Sequence, residues 1–184
     1  MGKQFIIFIL FCTAIMAQAN GFANDDWFQN ILNRKEKVTQ LQVYVQDILS
    51  GPVRTTIPVA SANSTSASPT LFGLAAVLDD PVRMVPNTNA EIVGRAQGFF
   101  AYASLEEISI HMTFDLIFTG GAHNGSTLNL LGSNQYLRPY RQLSVVGGSG
   151  DFPLARGSVG VRTVSINSTT GDALFEYNIS VLHY

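Results

Sequence analysis

The stretch Ile110-His111-Met112-Thr113-Phe114-Asp115-Leu116-Ile117-Phe118 carries an apolar side chain at every even position. A period of two is that of a strand with one face on a core. The same pattern returns near the C-terminus, where Ala173, Phe175, Tyr177, Ile179 and Val181 share one parity and Glu176, Asn178 and Ser180 the other, wetter one. Eight such segments can be read, at 40–48, 70–80, 92–104, 107–118, 126–133, 141–147, 156–167 and 172–183. Turn-forming residues divide them at Ser50-Gly51-Pro52, Asp80-Pro81, Gly120-Gly121, Gly147–Gly150 and Thr170-Gly171-Asp172. No helical segment long enough for a parallel crossover joins them, so an all-β, antiparallel sheet is expected. Eight antiparallel strands most simply close into a barrel, which removes exposed edges, and a sandwich is the alternative. A barrel of that size has room for side chains or one small ligand.

Upstream of the strands, residues 1–19 hold one early cation (Lys3), an apolar run and Ala17-Gln18-Ala19. This reads as a secretory signal with a small-residue cleavage site, too short for a membrane span. Cleavage there would leave 165 of the 184 residues, enough for a single domain. The one cysteine, Cys12, falls inside that signal, so the mature chain is expected to rely on packing rather than disulfides. Residues 20–39 read as an irregular lead-in, with a short helix near 27–32, and residues 40–184 as the barrel domain. The Ser- and Ala-rich stretch 59–69 reads as a flexible surface loop or, alternatively, as a cover over a pocket.

Loss of Lys3 with the leader takes the 11 Lys and Arg to 10 against 13 Asp and Glu, with no basic cluster to follow a phosphate backbone. Nucleic acid is not an expected partner. Four Asn-x-Ser/Thr sequons begin at Asn63, Asn124, Asn167 and Asn178, all expected on turns or a solvent face, and in a secreted chain they are candidate glycosylation sites. Gly147-Gly148-Ser149-Gly150-Asp151 lacks the framing of a nucleophile elbow and the ending of a phosphate loop, and reads as a tight turn. His111, His123 and His183 are scattered without metal-ligand spacing, so no metal is expected. His111 and Asp115 share a strand face, which a solvent-facing polar row explains. No nucleophile, metal or redox cofactor is signalled.

Four blocks remain: Val43-Tyr44-Val45-Gln46-Asp47-Ile48-Leu49; Phe72-Gly73 through Leu78-Asp79-Asp80-Pro81; Gly94-Arg95-Ala96-Gln97-Gly98-Phe99-Phe100-Ala101-Tyr102; and Val145-Val146-Gly147-Gly148-Ser149-Gly150-Asp151-Phe152 with Ala155-Arg156-Gly157. In order and spacing, over about residues 38–183, they resemble the signature blocks of plant dirigent proteins. The resemblance implies an allene oxide cyclase-like, eight-stranded antiparallel barrel, usually a trimer and in some members a dimer, secreted to the apoplast. It implies small phenolic substrates or radicals, an external oxidase of laccase or peroxidase type, and no cofactor of the protein's own. Characterised members hold phenoxy radicals and fix the face on which coniferyl alcohol units couple, as in lignan formation. Others are enzymes that act on quinone-methide-type intermediates, including closure of the pterocarpan ring.

By position, the resemblance assigns catalytic roles to Asp47 and Arg141 and substrate contacts to Tyr102, Phe100 and Asn134. Asp47 shares the parity of Leu41, Val43 and Val45 and would point inward, where burial raises a carboxyl pKa and lets it donate a proton. Its alternative is a strand-end carboxylate capping the Ser50-Gly51-Pro52 turn. Core packing is the alternative for Tyr102 and Phe100, and an isolated surface arginine for Arg141. Gln46, Phe100 and Asn134 replace the family's histidine, second tyrosine and second aspartate, and the cysteine pair of the lignan-forming branch is missing. These departures place the chain nearer the pterocarpan-forming and uncharacterised members. The expected function is stereochemical guidance of phenolic coupling, with proton-assisted ring closure by Asp47 as the alternative. Guidance is physically modest: a hundredfold preference between products needs only about 2.7 kcal/mol. A secreted module for wall glycans is a third class, but Trp27 is the lone tryptophan and lies outside the strands.

Overall fold

The computed structural model describes residues 25–184, and the expected signal segment with Cys12 lies outside them. Among the described residues are one helix, α1 (Asp25–Leu32), and nine strands: β1 (Lys37–Asp47), β2 (Thr56–Ala60), β3 (Ala75–Arg83), β4 (Gly94–Tyr102), β5 (Ile110–Phe118), β6 (Thr127–Asn134), β7 (Arg141–Ser149), β8 (Arg156–Ile166) and β9 (Ala173–His183). None of their helices is long and apolar enough to cross a membrane. The chain divides into a unit ending at Lys35, which holds α1, and a barrel unit from Glu36 to Tyr184. Asp26 sits in the first turn of α1, where the helix dipole favours negative charge.

From β3 to β9 each strand pairs antiparallel with the next, and β9 pairs with β1 along its full length. The ring closes where β1 meets β3, at Tyr44 opposite Arg83 and Val45 opposite Val82. β1 and β3 to β9 thus form the expected closed eight-stranded antiparallel barrel. The ninth strand, β2, is an addition that the periodicity does not announce: it is five residues long, contains Pro58, and lies on the edge of β3 that β1 leaves uncovered. Alternation sets the inner face, and β5 buries Ile110, Met112, Phe114, Leu116 and Phe118 as its pattern requires.

Two turns expected from composition are strand instead. Asp80-Pro81 lies inside β3, paired with Ala96 and Arg95. The Asp79 amide bonds the Thr55 carbonyl, so residue 81 presents its nitrogen on the same side, toward the gap between β2 and β1. A proline there costs no ladder bond. Gly147 and Gly148 extend β7 past a register shift opposite Asn129 and Leu130, and the chain reverses only at Gly150, whose φ of 65° favours glycine. β1 begins at Lys37, three residues ahead of the legible period. Residues 59–69 are not a loose loop. They start in β2, include a 3-10 turn at Thr65–Ala67, and are tied down by the buried Thr65, whose hydroxyl takes the Ala62 amide proton and donates to the Phe72 carbonyl.

The strand registers put Asp47, Ala173, Tyr102, Ile110 and Asn134 at one end of the barrel and Lys37, His183, Phe118 and Thr127 at the other. That second end is plugged by Phe152, fully buried between Phe118, His123 and His183 with ring centroids 4.8–6.0 Å apart. On the outer wall, Glu176 is not wet as its parity suggests. It is buried under Tyr44, Arg162 and Asn178, all of which donate hydrogen bonds to its carboxylate.

Candidate functional site

At the unplugged end the barrel interior opens into a cavity of about 400 Å³. This lies within the ordinary range for a small-molecule site. Its walls are mostly aliphatic and aromatic, with a few polar side chains among them. Asp47, at the end of β1, and Asp80, in the middle of β3, supply carboxyls; Tyr102 of β4 and Tyr136 beyond β6 supply phenols. Asn134 ends β6, and Tyr177 of β9 stands deeper, edge-on to Phe114 at 6.0 Å.

Asp47 faces the cavity, as its parity with Val43 and Val45 requires. Its Oδ1 is buried with no hydrogen-bond partner among the described residues. Burial raises its pKa, the Thr56 hydroxyl opposes the rise, and the charge of Asp172 adds to it. Asp47 does not cap the neighbouring turn. Asp172 does so, accepting the Leu49 and Ser50 amide protons on Oδ1 and the Ser50 hydroxyl on Oδ2 at 2.6 Å. With that task taken by Asp172, the carboxyl of Asp47 is free for the cavity.

Asp80 was hidden by the turn expected at Asp80-Pro81. Its signal was present, since it shares the parity of Ala76 and Leu78, both inward-facing. Burial pushes its carboxyl up to about 8, with the Asp47 charge adding to the rise and the Thr55 hydroxyl opposing it. Two carboxyls in one desolvated space do not both ionise easily, so at neutral pH the pair retains a proton.

Tyr102 and Tyr136 bring their hydroxyl oxygens to 3.4 Å with rings nearly perpendicular. Burial, then the Tyr136 hydroxyl, raises the Tyr102 phenol, so it serves as a hydrogen-bond group rather than an acid. Phe100 lies edge-on to Tyr102 at 6.1 Å and lines the cavity as an apolar surface. Tyr136 was missed, although it continues the inward parity of Leu128, Leu130 and Asn134 beyond the end of β6.

Arg141 does not line the cavity. It is buried behind Asn134, donating from Nε to Asn134 Oδ1 at 3.2 Å and from Nη1 to the Arg138 carbonyl and the Thr163 hydroxyl. Its guanidinium lies 5.6 Å from the Phe175 ring centre. Nη2 has no partner among the described residues. Arg141 therefore reaches the cavity through Phe175 and through Asn134, whose Nδ2 points at the Met112 sulfur, 3.4 Å away. Asn63, Asn124, Asn167 and Asn178 are all exposed, but Asn178 Nδ2 is engaged by Glu176 at 2.7 Å. Among the described residues no cluster of His, Cys, Asp and Glu could hold a metal ion.

Residues 38–182 match the family model described as dirigent-like protein. Dirigent protein 21 of Arabidopsis thaliana is 39% identical over 151 residues, covering 82% of this chain and 80% of its own. Pterocarpan synthase 1 of Glycyrrhiza echinata is 37% identical, covering 82% of this chain and 81% of its own. The solved structure of the pterocarpan synthase dirigent protein GePTS1 superposes with a TM-score of 0.76 at 38% identity, over 83% of this chain and 88% of that one.

Proposed function

Because the chain belongs to the dirigent family, we propose that it binds a phenolic substrate in the barrel, expels water from it through a quinone-methide intermediate and directs ring closure, with the Asp47–Asp80 pair as proton donor. The observation that carries this reading is the Asp80 carboxyl, desolvated inside the cavity and raised to about 8. A passive guide does not need a protonated acid at neutral pH. For a 2′-hydroxyisoflavanol the steps balance. The carboxyl gives its proton to the benzylic hydroxyl, the C–O bond breaks and water leaves, while the phenol conjugated with that carbon releases its proton to solvent and becomes the quinone-methide carbonyl. The 2′-hydroxyl oxygen then bonds to that carbon, its proton returns to the carboxylate, and the quinone-methide oxygen takes a proton back from solvent to restore the phenol. No oxidant is consumed.

The test is turnover of a 2′-hydroxyisoflavanol in the absence of any oxidant, measured as pterocarpan formed. Asp80→Asn and Asp47→Asn are each expected to cut kcat by at least about a hundredfold, the lower end of the range for a positioned acid. No turnover by the wild-type protein, or turnover unchanged in both variants, rejects the proposal. Stereochemical guidance of phenoxy radicals made by a separate laccase or peroxidase is the second reading. It is favoured by the aromatic wall of Phe100, Tyr102, Tyr136 and Phe175, on which phenolic rings can lie. Chiral product from coniferyl alcohol radicals, obtained only when the protein is present, would support it.

Secretion, with glycans on the open sequons at Asn63, Asn124 and Asn167, belongs to the same proposal and is supported by the leader-like residues 1–19. So does assembly into a homo-oligomer. On the outer wall Ile57, Val77, Phe99, Thr113 and Leu131 are successive register partners across five strands. Of these, Ile57 is 50%, Val77 42%, Phe99 40% and Leu131 37% exposed. An apolar row of this kind supports burial against another copy of the chain.

A further inference from the structure

At the seam of the barrel, where β1 leaves β3 and β2 begins, Thr55 bridges the two sides. Thr55 donates its amide proton to the Ile48 carbonyl at 2.9 Å, and its own carbonyl accepts the Asp79 amide proton at 2.8 Å. Its side chain joins the same two strands again. Thr55 Oγ1 accepts the Ile48 amide proton at 3.0 Å and lies 2.5 Å from Asp80 Oδ1. A threonine hydroxyl has a single proton. Thr55 donates that proton to Asp80, which makes Oδ1 the acceptor.

We propose that Thr55 is a positioning residue, which by engaging Asp80 Oδ1 leaves Oδ2 as the one carboxyl oxygen that carries a proton to a ligand in the cavity. Oδ2 has no protein partner among the described residues, and Asp80 faces the cavity beside Asp47. The charged and titratable groups around Asp80 are Asp47 of β1, Asp79 of its own strand, Arg95 of β4 and Tyr177 of β9. Asp79 and Arg95 pair with each other on the outer wall at 2.6 Å. That leaves Asp47, Tyr177 and the Thr55 hydroxyl as the inward neighbours. Thr55 does two opposed things: it orients the carboxyl, and by donating to it favours the ionised form against the burial and the Asp47 charge that raise it.

The catalytic part of this inference rests on the proposed acid chemistry, so the test includes a readout that does not. In ligand-free protein with carbon-13-labelled aspartate, Asp80 is expected to titrate near 8, as burial requires. Thr55→Val should raise that midpoint by about 0.5–1 unit, the loss of one hydrogen bond to a carboxylate, and Thr55→Ser should restore it. With the isoflavanol, Thr55→Val should lower kcat about tenfold at nearly constant KM, again with rescue by serine. A midpoint unchanged in Thr55→Val overturns the inference. Should wild-type protein not turn over the isoflavanol, the proposed function fails while the titration still judges Thr55. Should Thr55→Val not fold, a slowly exchanging Thr55 hydroxyl proton coupled to the Asp80 carboxyl carbon in the wild-type spectrum decides the same point, and its absence overturns the inference.

Discussion

Arg141 Nε donates to Asn134 Oδ1 at 3.2 Å, so a neutral amide stands between a buried guanidinium and the cavity. Nε and Nη2 lie on the same edge of the guanidinium, and Nη2 has no partner among the described residues. The charge is retained, because burial lowers the guanidinium from a value so high that it stays protonated.

Asn134→Asp should therefore stabilise the fold. The second carboxylate oxygen would accept from Nη2, turning a single hydrogen bond to a neutral amide into a side-on bidentate pair with a cation that is already desolvated. A gain of about 1–3 kcal/mol in urea unfolding is expected. A loss of stability would mean that the new carboxylate costs more in desolvation than the pairing returns.

The raised Asp80 carboxyl makes stability depend on pH with a defined sign. Its proton is held more tightly in the folded chain, at about 8, than at its ordinary 3.8. Its contribution is complete below that lower value, declines as the unfolded chain alone gives up its proton, and is gone once pH passes through the folded value. Tm should fall between about pH 5 and pH 8. Asp80→Asn keeps an acceptor for Thr55 but cannot ionise, so it should flatten the decline and add about 1–3 kcal/mol at the alkaline end. Parallel Tm curves for the two proteins would contradict this.

A lysine on the outer wall should break self-association without touching the cavity. Val77 and Phe99 are direct register partners at the middle of the exposed apolar row. Val77→Lys and Phe99→Lys are each expected to shift the mass measured by light scattering from an oligomer to the monomer, while far-UV circular dichroism stays that of a β-protein. An unchanged mass in both variants moves the interface elsewhere.

Gly98 of β4 lies opposite Phe114 of β5 with no room for a side chain. A Cβ added there would run into the Thr113 carbonyl oxygen and the Phe114 backbone. Gly98→Ala should cost about 1–3 kcal/mol in denaturant unfolding, because backbone rather than a movable side chain must give way. A neutral result would show that the β4–β5 pair has slack.

The periods of β5 and β9, the inward parity of Asp47 and the absence of crossover helices follow from the order of residues alone, because which face a side chain takes is local to its own strand. What only the folded chain decided is non-local. The split of β2 and β1 along one edge of β3 makes a proline harmless at Pro81 and so turns Asp80 inward within a strand, where composition suggested a turn. The same closure brings Thr55 to Asp80, places Tyr136 against Tyr102, and sets Arg141 behind Asn134 rather than in the cavity. Each of these depends on the register between strands far apart in the chain, which closure of the ring selects and no single segment encodes.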